Sequence, residues 1–112
     1  MALYNKKDKF HFRHHKIRKH NTLIVGEDKN NYDFLLITTS PRRDKSHLNA
    51  KFKKNPKKDL KAQKKIIDSY YEKRLGNDVK RNFADLPLKT WYLSNEDYFD
   101  ILKLLEKKSK KK

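Results

Sequence analysis

Three clusters of side chains in this sequence have the types and spacing to handle a phosphodiester. The first is Thr38, Thr39 and Ser40, followed by Arg42 and Arg43. Hydroxyls donate single hydrogen bonds to phosphate oxygens, and a guanidinium offers a planar fork to the same group. They stand where an apolar β-type run ends, and sites concentrate at such exits. Thr38 and Thr39 are equally ordinary strand residues, and Ser40 with Pro41 an ordinary turn.

The second cluster is His11, His14, His15 and His20, set among Lys16, Arg18 and Lys19. Imidazole moves protons near neutral pH. So many cations nearby disfavour a second positive charge on the ring, and few carboxylates are close. No metal is expected here; contact with a phosphate or a base is. His20 leads, because it directly precedes a strongly apolar run that should hold it, and His14, His15 and His47 stand behind it, with a lysine as the alternative. The third cluster is the lysine-rich middle: Lys53, Lys54, Lys57 and Lys58, then Tyr70, Tyr71, Arg74 and Arg81. Lysine grips phosphate without reading sequence, and tyrosine stacks on unpaired bases. The two tyrosines fit the apolar face of a helix as well, and Trp91 reads as core. Glu27, Asp28 and Asp33 surround a turn and form no metal pair, so no cofactor is expected.

Composition points the same way. The 112 residues hold 30 Lys or Arg against 14 Asp or Glu, a net charge of +16, so a polyanion is the expected partner and nucleic acid the commonest one. The excess is segregated into residues 1–20, 50–83 and 107–112; residues 21–49 are balanced and 84–106 are net acidic. A solubility surface would mix its signs. Hydrophobic content is only 35%, but aromatics reach 12%, which disordered chains seldom do. One small folded unit with basic flanks is therefore expected. The absence of cysteine excludes disulfides and Cys-based zinc sites. Two glycines exclude a Gly-rich phosphate loop. No apolar run is long enough for a membrane span, and residues 1–12 lack the apolar stretch of a signal peptide. A cytoplasmic location and no membrane contact are expected.

The elements that must position these side chains can be placed from pattern. Residues 10–12 alternate and predict a first strand, and 14–19 a basic loop. Residues 22–25 and 32–39 are β-branched, apolar and aromatic, with turn chemistry between, and predict a hairpin buried on both faces. Pro41 ends it. Residues 42–58 read as loop. From Asp59, the spacing of Leu60, Gln63, Ile67, Tyr70, Tyr71 and Arg74 predicts a helix, capped at Gly76 and Asn77. Residues 86–93 predict a last strand. Ser94 and Asp97 form an approximate capping box, and Tyr98, Ile101, Leu102 and Leu105 one apolar face of a final helix.

A family resemblance rests on two runs. His20, Asn21, Thr22, Leu23, Ile24, Val25 and Gly26, then after a polar turn Leu35, Leu36, Ile37, Thr38, Thr39 and Ser40, resemble the paired strands of the PemK/MazF-like toxins. The lysine-rich stretch after Arg42 and Arg43, and Leu93, Ser94, Glu96 and Asp97 opening a C-terminal helix, resemble the ToxN branch of RNA–protein toxin–antitoxin systems. The likeness spans roughly residues 18–48 and 86–105. It implies an α+β, mainly β fold: a small, strongly bent antiparallel sheet or barrel with one mid-chain helix and one C-terminal helix. A single domain would cover residues 1–106, with a basic insertion at about 44–83 and a basic tail at 107–112. The implied activity is metal-independent cleavage of RNA by its own 2′-hydroxyl. Thr39 and Ser40 match the family's phosphate-binding pair. His20 and Asn21 stand where the family has Arg-Pro, so His20, Lys19 or Arg42 would have to serve instead. The catalytic set is then His20, Thr39, Ser40 and Arg42. His14, His15, Lys16, Arg18, Lys19, Arg43, His47, Lys53, Lys54, Lys57, Lys58, Tyr71, Arg74 and Arg81 would bind RNA. The partner implied is an RNA antitoxin, with a protein antitoxin as the alternative. A non-catalytic basic nucleic-acid-binding protein of a phage or mobile element is the rival reading.

Overall fold

A computed structural model describes residues 10–38, 48–54, 56, 69–86 and 91–109. Among the described residues it is mainly β: one antiparallel sheet of seven strands and one helix. The strands are β1 (His11–His15), β2 (His20–Glu27), β3 (Asn31–Thr38), β4 (Asn49–Lys51), β5 (Tyr70–Glu72), β6 (Gly76–Val79) and β7 (Phe83–Asp85). The helix is α1 (Asn95–Ser109), and a 3-10 turn (Lys80–Asn82) joins β6 to β7.

The hairpin of β2 and β3 is the centre, as the apolar runs predict. Thr22 pairs Leu36 and Leu23 pairs Leu35, with a bulge between Ile24 and Gly26. At its tip Asp28 Oδ1 accepts the backbone N–H groups of Asn30 (2.9 Å) and Asn31 (2.8 Å). Those two donors hold its carboxyl below the usual range. Leu23, Ile24 and Val25 are all fully buried, which a strand permits only when both faces are covered.

Each face has its own core. On one, Phe10, Phe12, Leu23, Val25, Leu35 and Ile37 pack under Ile101 and Leu105 of α1, with Phe52 and Tyr71 closing the edge. Each such side chain contributes about 1.5–3 kcal/mol on burial. On the other face, Ile24, Tyr32, Phe34 and Phe83 form a smaller aromatic cluster. The sheet curls around this second cluster. β7 pairs β1, the 3-10 turn carries the chain from β6 to β7, and β6 pairs back onto β3. The curl is tight enough for His15 of β1 to reach Asp78 of β6 (2.7 Å), although those strands are not ladder neighbours.

β3 is shared along one edge. Its first half, Asn31 to Phe34, pairs β6; its end, Ile37 and Thr38, pairs β5. The chain leaves the edge between them, around Lys73 to Leu75. Gly76 is needed there: a Cβ on it would lie 2.6 Å from Cζ of the Phe34 ring.

Helix α1 starts as the capping box predicts. The Asp97 N–H donates to Ser94 Oγ (3.1 Å), Ser94 Oγ donates to Asp97 Oδ2 (2.8 Å), and the Tyr98 N–H donates to Ser94 O (2.9 Å). Asp97 does more than cap. Its two carboxylate oxygens also accept the backbone N–H groups of Lys53 (2.9 Å) and Lys54 (3.2 Å), so one buried side chain ties a loop to the helix. Among the described residues, no helix is long and apolar enough to cross a membrane.

Three expectations change. Within residues 42–58, read as loop, Asn49–Lys51 forms β4 against β5. The predicted mid-chain helix is not what residues 70–76 form. Tyr70–Glu72 is a strand pairing both β3 and β4, and Gly76–Val79 is another. The free edge of β3 captures the β-favouring tyrosines, and a period of two replaces the apparent period of 3.6. Residues 57–68, where that helix would start, lie outside the described residues. The last strand predicted at 86–93 is displaced to Phe83–Asp85; Trp91 makes only an isolated bridge, and 87–90 lie outside the described residues.

Candidate nucleic-acid interface

The turn between β1 and β2 carries a cluster of exposed charge. Lys16, Arg18, Lys19 and His20 are all exposed. Ile17 between them is 68% exposed. Three backbone donors fix the turn. The Lys19 N–H donates to His15 O (2.9 Å), the Lys16 N–H to Asn82 O (2.8 Å), and the Arg18 N–H to His15 Nδ1 (3.0 Å). Lys19 closes it at φ 57°, a left-handed conformation that costs a non-glycine residue about 1 kcal/mol. The turn is thus a built shape and not a slack loop. Among the described residues, Lys16, Arg18 and Lys19 form no ion pair. By contrast Arg13 pairs with Asp85, Lys53 with Asp100 (2.9 Å), Arg74 with Glu72 (2.8 Å) and Lys80 with Glu27 (2.6 Å).

His20 begins β2 beside the end of β3. Its Nδ1 lies 3.3 Å from Ile37 O. A carbonyl can only accept, so Nδ1 carries the proton and Nε2 keeps the lone pair in the neutral ring. The pairing of Thr22 with Leu36, continued two residues, sets His20 opposite Thr38. Thr38 is where the chain departs toward residues 39–47. His14 has the same type of tie, Nδ1 to Asn21 Oδ1 at 2.9 Å, and is half-buried.

Behind the turn is a hollow of about 340 Å³. Leu36, Leu75 and the edge of Phe34 make its apolar floor; Arg18, Glu72 and Arg74 make its rim. Arg18 lies over the Phe34 ring at 5.9 Å. A second hollow of about 370 Å³ lies by β1 and β7, and its cation, Arg13, is already matched by Asp85.

Two residues expected at the surface are not there. His15 is 1% exposed, between Phe34 and Phe83, with ring centroids 5.7 and 4.8 Å away. Its Nδ1 accepts from Arg18, so Nε2 donates to Asp78, and neither nitrogen is left for RNA. That hydrogen bond and one from Asn82 hold the Asp78 carboxyl below its usual range. Tyr71 is 5% exposed against Phe52, 4.9 Å between centroids, and packs instead of stacking on a base. Burial first, then Asp100 and Asp97, pushes its hydroxyl up to about 12. Lys53, Lys54, Arg74 and Arg81 are exposed, Lys53 and Arg74 in ion pairs. Thr39, Ser40, Arg42, Arg43, His47, Lys57 and Lys58 lie outside the described residues.

Sequence reasoning missed Asp78, Glu72, Leu36 and Leu75. Their roles depend on β6 and β5 reaching β3 from more than thirty residues away, and no local pattern signals that. Among the described residues, no three His, Asp or Glu side chains converge as a metal ion needs. Comparison with protein-family models, with curated proteins and with solved structures finds no match for this chain.

Proposed function

We propose that this protein binds RNA along the β1–β2 turn and the adjoining end of β3, and cleaves it without a metal through its 2′-hydroxyl. One observation carries the reading. Among the described residues, His20 is an exposed imidazole held by one nitrogen and with no partner on the other, beside three cations that no carboxylate pairs with. In the reaction Nε2 takes the 2′-hydroxyl proton and O2′ attacks the adjacent phosphorus. The bond from phosphorus to the 5′-oxygen breaks, and the proton held by the imidazole goes to that oxygen. The products are a 2′,3′-cyclic phosphate and a 5′-hydroxyl. Lys16, Arg18 and Lys19 oppose the negative charge that grows on the phosphoryl oxygens, and positioned charge of this kind is often the largest catalytic term. The bent β fold with an outer C-terminal helix accords with the resemblance to PemK/MazF-like toxins. On that resemblance the biological role is a toxin or phage-defence element held in check by an antitoxin.

One observation favours a non-cleaving binder: among the described residues, no second acid–base side chain is hydrogen-bonded to His20. Incubation of the protein with mixed RNA in excess chelator, with mapping of the new ends, separates the two readings. Cleavage with cyclic phosphate ends is expected. His20→Ala is expected to lower its rate about 10²-fold or more, the usual share of general base catalysis. Intact RNA that is nonetheless bound, with affinity falling steeply with salt, leaves the binder.

A further inference from the structure

We infer that the hollow beside the turn is a nucleobase pocket, and that it selects an unpaired guanine; this rests on the reading of the protein as RNA-binding. The hollow of about 340 Å³ lies at the small end of the range for ligand sites and joins apolar side chains, Phe34, Leu36 and Leu75, to charged ones, Arg18, Glu72 and Arg74. Leu36, Leu75 and the edge of Phe34 can cover one face of a base. Arg18, already lying over Phe34, is placed to stack on the base or hold its phosphate.

The rim supplies the choice among bases. Arg74 donates through Nε (2.9 Å) and Nη2 (2.8 Å), and both bonds end on the same oxygen, Glu72 Oε1. Among the described residues, no donor is bonded to Oε2. The Glu72 side chain is 20% exposed and lines the hollow, so Oε2 is available to a donor that enters it. Guanine answers it best, because N1–H and the N2 amino group are adjacent donors. The remaining N–H groups of Arg74 stand beside the carboxylate for O6. Adenine and cytosine offer one amino group, and uracil one N–H. The pocket is also placed to serve His20. Leu36 and Thr38 are two residues apart on one side of β3, about 7 Å, so one nucleotide spans from the floor of the hollow to the strand end beside His20.

The test uses labelled penta-uridylates carrying a single central guanosine, inosine, adenosine, cytidine or uridine, titrated with the full-length protein at fixed salt. Guanosine is expected to bind on the order of tenfold more tightly than the other standard bases, the scale of one good bidentate contact. Inosine, which lacks the N2 amino group, is expected to lose several-fold. Glu72→Gln should flatten the preference to less than about twofold while uridylate binding persists; circular dichroism and a thermal melt confirm its folding. The comparison among bases in the unmodified protein needs no variant. Equal binding of all five oligonucleotides overturns the pocket and leaves the RNA reading standing. Failure of every oligonucleotide to bind overturns the RNA reading and the pocket with it.

Discussion

His15 and His20 face each other as ladder partners at the base of one turn, yet the fold uses them in opposite ways. His15 points into the curl of the sheet. Two aromatic rings enclose it, one nitrogen accepts from the turn and the other donates to Asp78. His20 is exposed, with one nitrogen tied to Ile37 and the other without a partner among the described residues. Identical side chains, five residues apart, become a buried structural pin and an exposed ring at the surface. The difference is set by how many of the two nitrogens the protein itself consumes. The pin also shapes the exposed side, because the Arg18 N–H that His15 accepts belongs to the turn presenting Arg18, Lys19 and His20.

The sharpest way to break this comparison is to remove each ring in turn. His15→Ala leaves a cavity among Phe34 and Phe83 and strips a partner from Asp78. A stability loss of about 3 kcal/mol in denaturant unfolding is expected. His20→Ala, at an exposed position, is expected to change stability by less than about 0.5 kcal/mol. Equal losses would erase the distinction. A smaller effect tests the packing that holds the pin. Gly76→Ala forces a methyl into the Phe34 ring, which is 1% exposed and unable to swing into solvent. The expected cost is about 1–3 kcal/mol by overpacking, set against a gain of about 0.4–1 kcal/mol from a stiffer unfolded chain. The smallest effect is in pH. The His15 hydrogen bond depresses the Asp78 carboxyl below its unfolded value of 3.8. Its contribution is therefore present above that value and is lost as pH falls through the lower folded one. Acid unfolding of Asp78→Asn should lack this component, so the gap between variant and parent narrows below pH 3.8 and is widest near neutrality.

Much of the scaffold was legible in the sequence, because it is local. The paired apolar runs of β2 and β3 announce their own hairpin, Ser94 and Asp97 sit at capping distance, and Ile101 and Leu105 repeat at helical spacing under the sheet. His20 could be singled out because it abuts the strongest strand. What failed to show was every feature made by distant pairing. Tyr70 and Tyr71 have a helix-like spacing, and only the vacant edge of β3 turns them into a strand. His15 reads as one more basic-arm histidine until β6 brings Asp78 to it. The hollow exists only because β5 and β6 leave β3 at different points, a fact of topology and not of any one segment.

Asp97 has a consequence of its own. A chain with so large a surplus of positive charge pushes its parts away from one another. Lys53 and Lys54 stand at the mouth of its most lysine-laden stretch, and there a single buried carboxylate grips the main chain by two amide hydrogens. Repulsion among the lysines therefore meets a chain that is moored at Lys53 and Lys54. A polyanion that settles on the stretch would slacken the mooring's burden, so occupancy and cohesion of the whole molecule should rise together.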